Sequence, residues 1–184
     1  MPIGGGLCGP FFLPISSATH PLAFRRPDLY FTRVNCLQNA GNKMSTQELI
    51  DDFAYLDDWE DRYKYVIELG KKLAPLSAEE RDDATKVQGC VSQVWLVCDQ
   101  SPDIPALVFR GDSDALIVRG LIAILLIIYS NKTPNEIMAV NAREVFEKLG
   151  LNEHLSPQRS NGLHAMVTRV REHAARHIAT SSAS

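Results

Sequence analysis

Cysteine is scarce in this 184-residue chain, and what is missing around it excludes several kinds of chemistry. The four cysteines are Cys8, Cys36, Cys90 and Cys98. They form no Cys-x-x-Cys pair and no zinc-ligand set among themselves, so the cysteine pattern offers no metal site. Sparse free thiols fit a reducing compartment such as the cytosol. Positive charge is also short: 19 basic residues against 22 acidic ones give a net charge of −3. No patch of Lys or Arg interleaved with aromatics occurs, which argues against nucleic acid as a partner. Long apolar runs are missing too. Leu121–Ile128 gives eight consecutive apolar residues, well short of a bilayer span, and Arg119 interrupts any extension. No basic segment precedes a sustained apolar stretch, which reads against a secretory signal, and no internal repeat is visible.

What remains suits one domain with a real core, at 45% apolar and 22% charged residues. Charge divides unevenly. Residues 1–43 hold Arg25, Arg26, Arg33 and Lys43 against Asp28, net +3, which leaves −6 for the rest. An acidic domain of that kind favours a partner with basic contacts. Glycine, proline and isolated apolar residues alternate in 1–43 without helical or strand period, which reads as a disordered extension. It is either a mis-assigned start, with Met44 the native one, or an organellar transit peptide. Domain 44–184 begins on a capping box, Ser45-Thr46-Gln47-Glu48.

Leu49, Phe53 and Leu56 make one helical stripe, and Trp59, Tyr63, Val66, Ile67 and Gly70 another after Asp57-Asp58. Pro75 breaks the pattern. Three short strands follow, near Thr85–Gln88, Ser92–Asp99 and Ala106–Arg110, with short connections that imply antiparallel pairing. Ala115–Ser130 reads as a central core helix. Thr133-Pro134-Asn135-Glu136 starts a further helix that ends at Gly150. Ser156–Gly162 reads as a loop, and a last helix covers about Leu163 to Ile178, with Met166, Val167 and Val170 inward. The tail Thr180–Ser184 should fray. The class is α+β, a small three-stranded antiparallel sheet packed against helices.

One stretch concentrates the chemistry: Lys86-Val87-Gln88-Gly89-Cys90-Val91-Ser92-Gln93-Val94-Trp95. Gly89 permits a tight turn, and the alternating residues after it suit a strand. Cys90 therefore stands at a loop tip. By itself such a cysteine is either a presented thiol or a small buried hydrophobe.

The stretch resembles the active-site segment of the SufE family of sulfur-acceptor proteins, whose pattern is close to Gln-Gly-Cys-x-Ser-x-Val-Trp. Two further blocks match in order: Gly111-Asp112-Ser113-Asp114-Ala115, and His154-Leu155-Ser156-Pro157-Gln158-Arg159-Ser160-Asn161-Gly162-Leu163. The likeness runs from about Leu49 to His173. Val91 departs from it, since many members carry a polar residue such as Gln there. The resemblance implies the SufE/IscU-like fold and a role in iron–sulfur cluster assembly. Cys90 would take a persulfide sulfur from a pyridoxal-phosphate-dependent (SufS-like) cysteine desulfurase, stimulate that enzyme, and pass the sulfur to a SufBCD-type scaffold complex. It implies no cofactor or metal on this chain, no membrane contact and a cytoplasmic location, and it is compatible with a homodimer. Gly89, Asp112, Asp114 and Arg159 are its loop-supporting or partner-contacting residues. Read without the resemblance, Asp112 and Asp114 are N-caps of the core helix, and Arg159 holds its own loop.

Such a relay is the persulfide counterpart of thiol–disulfide exchange, governed by thiolate fraction and access. Two other classes compete. A cysteine hydrolase would pair Cys90 with His154 or His164, yet no orienting third group is evident. A cluster-holding scaffold of the IscU-like fold would need several cysteines, and the folded region has two. Cys98 reads as a packed strand residue, and His154 as a loop or helix-end residue.

Overall fold

The Ser45 hydroxyl accepts from the Glu48 amide at 3.1 Å while the Glu48 carboxylate accepts from the Ser45 amide at 2.7 Å, so the expected capping box starts the first helix. The computed structural model describes residues 44–100 and 105–181. The expectations for residues 1–43, with Cys8 and Cys36, and for 182–184 lie outside the described residues.

Among these, α1 spans Thr46–Ala54 and α2 Trp59–Lys71, capped by Asp58 as its acidic start predicts. Strands β1 (Val94–Gln100) and β2 (Leu107–Ser113) pair antiparallel, with Val94 opposite Ser113 and Gln100 opposite Leu107. Then come α3 (Leu116–Tyr129), α4 (Pro134–Ala139), α5 (Ala142–Lys148), α6 (Leu151–His154) and the long α7 (Pro157–Ser181). The class is α+β, as expected.

The core is built on α3. Leu121, Ile122, Ile124, Leu125 and Ile128 are essentially inaccessible to water, as are Leu49, Phe53 and Val66 of the first two helices and Val94 and Leu96 of β1. Helices α2 and α3 meet at a glycine pair. A Cβ on Gly120 would lie 2.2 Å from the Val66 carbonyl oxygen, and one on Gly70 would lie 2.5 Å from the Gly120 nitrogen. Larger residues would force the two backbones apart and open the centre of the core.

Four expectations change. The segment near Thr85–Gln88 joins the sheet only at a bridge between Lys86 and Trp95, so two strands rather than three are seen among the described residues. The chain turns away after Val87 to make the cysteine loop, which leaves no length for a ladder. The helix expected from Pro134 to Gly150 is two. Val140 is extended, and Asn141 recaps by accepting from the Glu144 amide at 3.4 Å. The segment Ser156–Gly162 is not a loop but carries the opening turns of α7, with Pro157 at a position where its missing N–H costs nothing. Finally, the N-cap of α3 is Ala115, with no side-chain hydrogen bond, so neither Asp112 nor Asp114 caps it.

Candidate functional site

The cysteine loop is anchored at its base on both sides. Val87 N donates to Val94 O at 2.9 Å, and Leu96 N donates to Thr85 O at 2.8 Å. Asp82 fixes Thr85 in turn, accepting from its amide at 2.8 Å and its hydroxyl at 3.0 Å. On the other side, Gln93 N donates to Asp114 Oδ1 at 3.0 Å, and Ser113 Oγ donates to Gln93 O at 2.6 Å. Between these anchors Gly89 adopts φ +87°, a left-handed conformation that a side chain would strain. Gln88 through Ser92 carry neither helix nor strand.

Cys90 lies half-buried at the loop tip. Its Sγ sits 3.6 Å from the Gly162 carbonyl oxygen on α7, to which the thiol donates. Beside it opens a cavity of about 430 Å³ lined by Val118 and Leu121 of α3, by Gly162 and Met166 of α7, and by the polar side chains of Ser92, Ser156, Gln158 and Arg159. Burial pushes the Cys90 thiol up from its ordinary pKa. At rest the sulfur is therefore mostly protonated at neutral pH. Val91 borders the same cavity but gives the sulfur little cover. Its side chain is 82% exposed, whereas Val87 and Val94 are buried.

The two aspartates brace this region. Asp114 grips Gln93 as described. Asp112, only 1% exposed, accepts from the Leu76 amide at 3.2 Å and from Arg81 Nη2 at 2.6 Å, and it also accepts from Arg119 Nη1. Arg119 reaches on to the Gly70 and Leu73 carbonyls, tying the end of α2 to the same point. Arg81 in addition lies 5.9 Å from the centre of the Trp95 ring. The carboxylates of Gly111-Asp112-Ser113-Asp114 thus join the strand end, the cysteine loop and two helices. Arg159 is exposed on the first turns of α7.

Neither candidate base lies at the cysteine cavity. His154 stacks on Trp59 with ring centres 4.3 Å apart, and His164 uses Nδ1 on the Ser160 carbonyl at 2.7 Å. Cys98 stands opposite Phe109 in the sheet, and burial pushes its pKa to about 11. Among the described residues no group of three or more His, Cys, Asp or Glu side chains is placed to share a metal ion. No helix among them is long and apolar enough to cross a membrane.

The sequence alone points to no role for Gly162, Arg81 or Arg119. Gly162 was hidden because Asn161-Gly162 reads as a turn. The arginines lay in a helix and a charged run, where their shared carboxylate is visible only in three dimensions.

The chain resembles known proteins along most of its length. A family model described as "SufE: Fe-S metabolism associated domain" matches residues 47–174. A SufE-like protein of Rhizobium etli is 59% identical over 132 residues, covering 71% of this chain and 89% of that protein. One from Rhizobium meliloti is 54% identical over 132 residues, covering 71% and 94%. A solution structure of a hypothetical protein from Thermus thermophilus superposes with a TM-score of 0.60 at 18% identity, over 74% of this chain and 99% of that one, which speaks to the fold alone.

Proposed function

From the premise that the chain belongs to the SufE family, and so is associated with Fe–S metabolism, we propose that it is a sulfur acceptor and relay. Cys90 takes sulfur from the persulfide of a pyridoxal-phosphate-dependent, SufS-like cysteine desulfurase and hands it to a SufBCD-type scaffold complex. The reading assigns this work to residues 44–184 and to the cytoplasm, where free thiols persist.

A single observation carries the proposal. Among the described residues, the thiol set at a glycine-flanked loop tip, beside a cavity lined in part by Val118, Leu121 and Met166, is the cysteine of the family-like motif. The transfer needs nothing more. Cys90 loses its proton, and its thiolate attacks the outer sulfur of the donor persulfide. A new S–S bond forms as the donor's S–S bond breaks, and the departing donor thiolate takes up a proton. Electrons balance without an external oxidant or reductant. The apolar part of the cavity's lining, Val118, Leu121 and Met166, supports a second duty, keeping water and small thiols from the carried sulfur.

Asp112 and Asp114 support the loop in this account, and exposed Arg159 beside the cavity contacts the donor. The test is the desulfurase's own turnover. Alanine production from cysteine should rise when this protein and a reductant are added, and should not rise with Cys90→Ser. Cys98→Ser should stimulate like the unmodified chain. Equal stimulation by Cys90→Ser would refute the assignment.

A further inference from the structure

The loop tip rests on two small residues one turn apart on α7. A Cβ built on Gly162 would lie 3.3 Å from Cys90 Sγ and 3.8 Å from the Cα and Cβ of the same residue. All three of its nearest atoms therefore belong to Cys90. Next to it, a Cβ on Gly89 would lie 3.6 Å from the Cβ of Ala165. Gly162 itself is buried within the helix. It is not among the glycines with positive φ, so its backbone is one that alanine adopts freely.

These facts separate two reasons for a glycine. Helix geometry does not ask for one at 162, because glycine in a helix interior is less favourable than alanine. Space does. A methyl group there would press on the reactive residue, and a contact of 3.3 Å is tight enough to make the sulfur give way.

We propose that Gly162 is a positioning residue whose bare Cα, with Ala165 beside it, forms a seat that holds the Cys90 thiol withdrawn against α7. The Gly162 carbonyl completes the seat. It can only accept a hydrogen bond, so at 3.6 Å it favours the protonated sulfur over the thiolate. Burial acts in the same direction. A donor must lift Cys90 off this seat before the sulfur becomes an efficient nucleophile. Between encounters the seat keeps the thiol from adventitious electrophiles. The biological meaning of the seat rests on the relay reading, but its existence can be tested without any desulfurase.

The experiment uses the full chain and iodoacetamide, with alkylation followed at Cys90 by peptide mass spectrometry across a pH series. Gly162→Ala should keep or raise the melting temperature, since it improves the helix. It should also alkylate faster at neutral pH, on the order of three- to tenfold, with the rate profile moved to lower pH. Ala165→Met should push the loop from its other contact and accelerate alkylation too. Thr168→Ala, at an exposed site on the same helix, should change nothing. A merely structural glycine would lower the melting temperature on substitution and leave the pH profile where it was. Unchanged or slower alkylation in Gly162→Ala would overturn the seat. If Cys90 of the unmodified protein accepts no sulfur from a desulfurase, the relay reading falls, while the alkylation comparison still decides the seat.

Discussion

Gln93 and Asp114 clasp each other in both directions: Gln93 N donates to Asp114 Oδ1 at 3.0 Å, and Asp114 N donates to Gln93 O at 3.4 Å. The clasp closes the loop that carries Cys90 three residues earlier. Asp114→Ala removes the side-chain acceptor and leaves the Gln93 amide with solvent. Hydrogen exchange at residues 87–94 should rise, and Cys90 should alkylate faster in the free protein. Asp114→Asn keeps an oxygen at the same place and should change both much less. Equal effects of the two variants would show that charge rather than the hydrogen bond matters.

Asp112 has a different task, because its carboxylate sits between Arg81 and Arg119 with almost no access to water. Removing it strands two guanidinium groups, both of which retain some solvent contact. Asp112→Ala should cost about 3 kcal/mol, at the low end for a broken buried pair. For a chain of this size that is roughly 6–12 °C in melting temperature. Thermal unfolding followed by circular dichroism measures it. A loss within 1–2 °C, about the scale of an ordinary surface substitution, would contradict the bracing role.

Much of this arrangement is legible in the sequence, and the failures share a cause. Ser45, Asp58 and Thr133 cap their helices as the sequence predicts, since capping depends on residues three apart. The core helix is equally legible, because a long apolar segment has few alternatives. The aspartates of the Gly111-Asp112-Ser113-Asp114 block mislead because acidic residues before a helix usually cap it. Here most of their partners lie 21 to 36 residues away, at Gln93, Arg81 and Leu76, and the nearer one, Arg119, is bound from inside α3. The start of α7 misleads for a similar reason. Ser156, Pro157, Asn161 and Gly162 all favour turns, but the loop tip packing on Gly162 and the buried Leu163 and Met166 outweigh local preference. The cysteine itself is legible only through the family pattern, since spacing alone favours a buried hydrophobe.

Arg159 is exposed beside the cavity, so it is available to a partner. Arg159→Ala should weaken binding to the desulfurase, chiefly through a slower and less salt-sensitive association. The melting temperature should stay within about 1 °C, as for most exposed substitutions. Surface plasmon resonance at two ionic strengths separates the outcomes. Destabilisation without a binding defect would return Arg159 to a purely structural role.

His173 makes stability depend on acid. Its Nε2 is buried without a hydrogen-bond partner, and its ring meets Phe109 edge-on. Burial, aided by Arg176, Arg169 and His177 and opposed by Glu172, holds its pKa down at about 4, against an ordinary value of 6.5. The folded chain thus binds this proton more weakly than the unfolded one. Stability is intact above pH 6.5 and is lost as pH falls from there toward 4. His173→Phe removes the titrating group, so its melting temperature should decline less over that window. Parallel declines would mean that other groups carry the acid sensitivity.

The proposed relay depends on the Cys90 sulfur as the atom that accepts sulfur from the donor. The direct measurement mixes the reduced full-length protein with a SufS-like cysteine desulfurase and free cysteine, removes small thiols, and reads intact mass. The prediction is one added sulfur on the unmodified chain, mapped to Cys90 and absent from Cys90→Ser while present on Cys98→Ser. An added sulfur that survives in Cys90→Ser, or none on the unmodified chain beside an active desulfurase, would contradict it.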